Sequence, residues 1–166
     1  MMTSKDLTIA KLEEKLHRVS WNDKLGCYNR QGFEYVIWPD IAPRARFIIY
    51  FDIDHLHELN EPYDSFAPVD AMIKQALSIV RTTDSVAGQL NSGDEFMVVL
   101  AETEKTEKRK ELNPEGLKKR LVESLAEQGM SATFAIVAVK SQDLMENVDP
   151  AVAQVKAAKR ERGISR

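Results

Sequence analysis

The nine residues Arg46-Phe-Ile-Ile-Tyr-Phe-Asp-Ile-Asp54 constrain this chain more than any other stretch. They are of strand length, rich in β-branched and aromatic side chains, and apolar on both faces, the pattern of a central strand covered on both sides. Acids gather at its carboxyl end. From Phe47 to Ile73 there is no Lys or Arg, while Asp52, Asp54, Glu58, Glu61, Asp64 and Asp70 all fall within the stretch.

The carboxyl-terminal tail is the opposite. From Ala151 onward Lys156, Lys159, Arg160, Arg162 and Arg166 face only Glu161. Carboxylates hold Mg²⁺, and ammonium and guanidinium groups hold phosphate oxygens, so this sorting suits a metal-bound polyphosphate. On charge alone the better account is an acidic loop together with cations favouring a helix carboxyl end.

Elements follow from the spacing. Leu7, Ala10, Leu12, Leu16 and Val19, with Thr3 or Ser4 as cap, predict an amphipathic helix from Ser4 to about Ser20 that can pair with a second copy of itself. Asn22 to Arg30 reads as a loop, and Gly32 to Trp38 as a short helix stopped by Pro39. Pro68 to Val80 is a further helix, and Ser85 to Leu90 and Glu95 to Leu100 are strands joined by the turn Asn91-Ser92-Gly93-Asp94. Ala101 to Leu112 is a solvated excursion without an apolar face. Asn113-Pro114-Glu115 starts a helix with Leu117, Leu121, Val122 and Leu125 inward and Gly129 at its end. Ala132 to Val139 is a strand, and Pro150 to about Arg162 a last helix.

The order β, α, β, β, α, β with a helix at each end predicts an α+β fold. It is the ferredoxin-like, palm-type split βαβ arrangement, with helices on one face of a central antiparallel sheet. Residues 1–21 are expected to form the lead-in helix and linker, and 22–166 the domain. At 166 residues a second full domain has no room.

A formal charge of −3 excludes broad attraction to polymeric nucleic acid. Without an apolar run of about 20 residues or a secretory leader, no membrane span is expected and the cytoplasm is the expected location. The single cysteine, Cys27, excludes an internal disulfide and a multi-thiolate metal site. Asp54, His55 and His57 are of transition-metal ligand types, but a strand-to-helix junction accounts for them. Tyr50 and Phe51 on a central strand raise an RNA-stacking alternative, against which the acidic cluster argues.

Asp52 and Asp54 at a strand end, and Asp94 and Glu95 in a hairpin turn, belong to elements that lie side by side in such a sheet. Acids from both can share a divalent ion and support phosphoryl transfer. In order, Asp23-Lys-Leu25 with Gly26-Cys-Tyr-Asn-Arg30 and Phe33, Phe51-Asp-Ile-Asp-His-Leu-His-Glu-Leu-Asn60, Arg81-Thr-Thr-Asp84 and Ser92-Gly-Asp-Glu-Phe96 resemble the motifs of the GGDEF-domain diguanylate cyclases. The resemblance runs from about Asp23 to Arg162.

What it implies is a Mg²⁺- or Mn²⁺-dependent enzyme condensing two GTP into cyclic di-GMP with loss of pyrophosphate, each subunit of a homodimer supplying half of the site. Asp52, the backbone carbonyl of Ile53 and Asp94 would hold metal, and Asp94 or Glu95 would accept the proton. Asn60 and Asp70 would read the guanine edge, His57 and Lys159 would lie at the phosphates, and Ser92 and Gly93 would form the nucleotide turn. Arg81 and Asp84 match an inhibitory product site.

Several positions depart from the family. A Thr between Leu25 and Gly26 is absent. His57 stands where a lysine is usual, which weakens phosphate binding because a neutral imidazole carries no fixed charge. Asp70 is displaced by about one residue, and Arg81 and Asp84 lie two residues farther from the signature. Ser92 replaces the first signature glycine and keeps the turn small. These departures define the alternative, a degenerate, non-catalytic module that binds GTP or cyclic di-GMP and signals to a partner.

Overall fold

The computed structural model describes residues 1–80, 85–91, 93–103 and 112–164. Arg81, Asp84 and Ser92 lie outside the described residues, as does most of the predicted solvated excursion. The elements are α1 (Ser4–Ser20), β1 (Trp21–Asn22), β2 (Cys27–Tyr28), α2 (Arg30–Gly32), a π turn (Phe33–Ile37), α3 (Trp38–Ile41) and a 3₁₀ turn (Ala42–Arg44). There follow β3 (Ala45–Ile53), α4 (Leu56–Asn60), α5 (Ala67–Leu77), β4 (Ser85–Gln89), β5 (Glu95–Ala101), α6 (Pro114–Glu127), β6 (Ala132–Ala138) and α7 (Leu144–Glu161).

The sheet runs β1-β2-β4-β5-β3-β6. Its four long strands give the predicted antiparallel split βαβ order, with β3 flanked by β5 and β6. Beyond the predicted four, the short pair β1 and β2 extends the edge, and β2 runs parallel to β4. These two strands overlap the expected Asn22–Arg30 loop, because two-residue strands leave no alternation in the sequence.

Alternate residues of β3 bury in opposite directions. Ile49, Phe51 and Ile53 join Val69, Ile73 and Leu77 of α5 and Leu117, Leu121 and Leu125 of α6. Ile48 and Tyr50 join Phe33, Trp38 and Ile41 on one side and Val148, Ala151 and Val155 of α7 on the other. Helices therefore cover both faces and not one, as the two-sided apolar run requires. Phe51 stacks between Phe96 and Phe134 at centroid distances of 5.5 and 5.0 Å, tying three strands together directly beneath the acidic strand end.

Three local expectations are corrected. Pro39 does not stop its helix: the widened π turn before it, in which the Trp38 N–H reaches back to the Phe33 carbonyl, makes room for the prolyl ring. Pro150 does not start the last helix. Asp143 caps that helix through the Met145 and Glu146 N–H groups, and Pro150 sits on its exposed side. Val122 is exposed, because the apolar stripe of α6 runs through Leu117, Leu121 and Leu125 alone.

α1 carries the predicted cap as a full capping box between Thr3 and Asp6. Only its last residue, Ser20, is buried. There Asn29 donates its amide to the Val19 carbonyl at 2.6 Å and its N–H to the Ser20 carbonyl at 2.8 Å, fastening the helix end to the domain. Among the described residues no helix is long and apolar enough to cross a membrane.

Candidate active site

The site grows from the end of β3. Asp52 pairs in register with Glu95 of β5 on one side and Thr133 of β6 on the other, so all three point to the face covered by α7. One residue on, the Ile53 N–H donates to the Asp94 carbonyl at 2.8 Å, which docks the hairpin turn against the strand end. His55 then takes a left-handed conformation, φ 56°, and turns the chain into α4. A non-glycine residue held there is a locally strained junction, directly beside the acids.

Asp52 is buried, with 2% of its surface exposed. Burial pushes its carboxyl up to about 6; the negative charge of Asp94 adds to the rise, and Lys159 opposes it. Its Oδ1 lies 3.3 Å from the Lys159 ammonium, an ion pair, and accepts no other hydrogen bond among the described residues. Glu95 is equally buried and accepts a 2.7 Å hydrogen bond from the Tyr50 hydroxyl. Asp94, at the turn, is partly exposed.

Asp54 contrasts with its neighbour. It accepts from Thr133 Oγ1 at 2.8 Å and Ser131 Oγ at 2.9 Å, and Lys159 Nζ stands 3.2 Å from Oδ1. Burial works against its charge, but these hydrogen bonds and the ammonium outweigh it and hold the carboxyl below the ordinary carboxylate range. The Arg162 guanidinium, at the end of α7, donates in turn to the Thr133 hydroxyl.

Lys159 is the member placed least as the sequence suggested. Its side chain is buried, donates to the Ile53 carbonyl at 3.2 Å and bridges Asp52 and Asp54. His57 is 83% exposed and faces Glu61 at 3.8 Å, while His55 faces Glu58 at 3.9 Å; among the described residues no three His, Cys, Asp or Glu side chains converge as a metal-binding group.

Asn60 closes α4. Its amide nitrogen donates to the Leu56 carbonyl at 3.0 Å, and its buried Oδ1 has no hydrogen-bond partner among the described residues. Asp70, on α5, is half-buried; burial raises its carboxyl and the Lys24 charge, from the β1–β2 turn, lowers it. Gly93 is exposed at the hairpin turn and borders an open groove of about 450 Å³ lined by Asn29, Arg30, Gln31, Gln89 and Asn91. Arg30 donates to the Asn91 side chain across that groove, joining the entry segment to the turn.

The structure thus gathers Asp52, the Ile53 carbonyl, Asp94, Glu95 and Lys159 at one strand end. Asn60 and Asp70 lie on the following two helices. Sequence reasoning missed Thr133, Ser131, Arg162 and Tyr50 as supports for the acids. The parity of β3 was the available signal for Tyr50, two residues before Asp52 and so on the same face.

No family model matches the chain, and no curated protein matches it. Solved structures do. A sensory box/GGDEF family protein from Caulobacter crescentus CB15 superposes with a TM-score of 0.58 at 24% identity, over 84% of this chain and 99% of that one. The coiled coil and GGDEF domain of DgcB from Caulobacter crescentus, in complex with c-di-GMP, gives 0.64 at 15% identity, over 95% and 91%. The chain has the GGDEF-domain fold. The diguanylate cyclase SiaD from Pseudomonas aeruginosa, in complex with its activator SiaC, gives 0.66 at 15% identity, over 95% of this chain and 65% of SiaD.

Proposed function

We propose that this GGDEF-fold domain is a diguanylate cyclase that condenses two GTP into cyclic di-GMP and pyrophosphate across a homodimer, with Mg²⁺ or Mn²⁺ as cofactor. The observation that carries the reading is the convergence of Asp52 Oδ1 and the Ile53 carbonyl on one cationic group, with Asp94 hydrogen-bonded through its backbone to Ile53. Two carboxylates and a carbonyl are hard oxygen donors of the kind Mg²⁺ takes, and the buried Oδ1 of Asp52 meets only the Lys159 ammonium among the described residues, so a cation is what it faces. The residues fit the ion. When bound, it would supply charge neutralisation at the α-phosphate and a more acidic ribose 3′-hydroxyl.

The chain's own residues do the rest. Tyr50 donates to the Glu95 carboxylate and Asp94 is the more exposed of the two acids, which supports Asp94 over Glu95 as the acceptor of the 3′-hydroxyl proton. The buried Oδ1 of Asn60, unpartnered among the described residues, is an acceptor for a guanine N–H, which adenine does not offer at the same edge. The cation of Lys159 is the phosphate partner.

Purified chain incubated with GTP and Mg²⁺ tests the reading. Cyclic di-GMP and pyrophosphate are expected; a dimeric sample at high concentration that forms no cyclic dinucleotide rules it out. A second reading, a binding module without turnover, is favoured by one observation: His57, at the position of the usual lysine, is solvent-exposed beside Glu61 and brings no fixed charge to a phosphate. For that reading calorimetry would show cyclic di-GMP binding, abolished by Arg81→Ala, from a chain that leaves GTP intact.

The dimer rests on α1. Ile9, Leu12, Leu16 and Val19, at alternating three- and four-residue spacing, are 45–71% exposed and form one unpartnered stripe. Leu12→Lys with Leu16→Lys is expected to shift the chain from dimer to monomer at micromolar concentration in sedimentation and to lower product formation more than tenfold, with the circular dichroism of the domain unchanged. An undiminished dimer removes α1 from the interface.

A further inference from the structure

Lys159 occupies the place a divalent ion would need. A lysine is rarely buried, and this one is 5% exposed, fifteen residues into α7 and one α-helical turn beyond the buried Val155. Its ammonium stands 3.3 Å from Asp52 Oδ1 and 3.2 Å from the Ile53 carbonyl, the two oxygens assigned to the metal. A second cation drawn to both oxygens would meet the ammonium at contact distance, so the two compete for one position.

The site also contains a place for the ammonium to be retained. Asp54 Oδ1 is 3.2 Å from Nζ, and its carboxylate is fixed by Thr133 and Ser131, with Arg162 holding the Thr133 hydroxyl. Among the described residues Asp52 has no such hydroxyl support: its Oδ1 keeps the ion pair with Lys159. The two carboxylates that share Lys159 are therefore unequal: one is fixed by two hydroxyl donors, and the other meets only the ammonium among the described residues.

We propose that Lys159 is a tethered counter-ion that closes the metal position until a divalent ion displaces it from Asp52 and Ile53, Asp54 keeping the released ammonium beside the site. This rests on the metal reading above and adds an order to it. The ion enters, the ammonium leaves two oxygens, and the freed cation becomes available to phosphate. The metal-free chain avoids two buried carboxylates without a counter-charge.

The test uses Mn²⁺ alone, followed by the paramagnetic signal of the free ion as purified chain is added. If the open position is populated in about one chain in ten, apparent affinity is reduced tenfold, so Lys159→Met is expected to bind Mn²⁺ about tenfold more tightly than the unaltered chain. Binding confined to the variant supports the same conclusion. Equal or weaker binding by the variant overturns the latch and leaves the metal reading standing; no binding by either chain overturns both. A second measurement needs no substitution. Acetylation of Lys159 by acetic anhydride, read by peptide mass spectrometry, is expected to be slow in the metal-free chain and at least about fivefold faster at saturating Mn²⁺, because the released ammonium meets solvent. Unchanged reactivity with Mn²⁺ bound overturns the proposal.

Discussion

Asp52→Asn is expected to lower metal-dependent consumption of GTP by about 10³-fold, since a lost metal contact forfeits several kcal/mol of charge stabilisation and each 1.36 kcal/mol is tenfold in rate. The same change is expected to leave the metal-free chain at least as stable as before. Asp52 is buried and Asp94 repels it, which together outweigh Lys159 and raise its carboxyl to about 6. A carboxyl whose folded value lies above its unfolded 3.8 opposes folding progressively as pH rises from about 4 to about 6, and fully above that. The gain in melting temperature on substitution should therefore be near zero at pH 4 and positive at pH 7. Pyrophosphate release and thermal melts at the two pH values check both halves. Turnover within tenfold of the unaltered chain takes Asp52 out of the metal position.

The same titration sets the pH dependence of the ion itself. Because Asp52 must be ionised to hold a cation, Mn²⁺ affinity is expected to fall as pH drops through about 6, well above the range in which an ordinary carboxylate would lose it.

The strand Ala45–Ile53 was legible because a two-sided apolar run has few solutions, and once it is central the acids at its end and those of the hairpin turn fall side by side. Gly26, with φ 66°, and Asn113, accepting from the Gly116 N–H, were legible as turn and cap for equally local reasons. What stayed hidden depends on contacts between distant residues. Lys159 reads as one cation among several in a basic tail, and its partner Asp52 is 107 positions away. A signal existed all the same: Val148, Ala151 and Val155 form a buried stripe, and Lys159 is its next step at four-residue spacing. A charge at the next position of an apolar stripe is a charge that must find a partner in the interior. Proline misled twice, because the rule that it begins or ends a helix holds only where no π turn or exposed face relieves the missing donor.

Asp54→Ala is expected to do the reverse of Asp52→Asn, destabilising the fold by about 3 to 5 kcal/mol at pH 7, the cost of removing one partner from a buried ion pair. Three groups lose their acceptor at once. Thr133 and Ser131 donate to it at 2.8 and 2.9 Å, and the buried Lys159 ammonium keeps only the Ile53 carbonyl and the ion pair with Asp52. For a chain of this size the loss corresponds to a fall in melting temperature on the order of 10 °C. The pH dependence has the opposite sign as well. Its folded carboxyl lies below the unfolded 3.8, so the stability it supplies is complete above that value and is lost as pH falls through the folded one. The difference in melting temperature between the unaltered chain and Asp54→Ala should hold steady from pH 8 to pH 5 and shrink below pH 4. Thr133→Val, which removes one of the three contacts and also unseats Arg162, should show a smaller part of the same loss. A stable Asp54→Ala chain with unaltered melting at pH 7 would mean that Lys159 is held by Asp52 and not by Asp54, and the inequality of the two neighbouring carboxylates would have to be reversed.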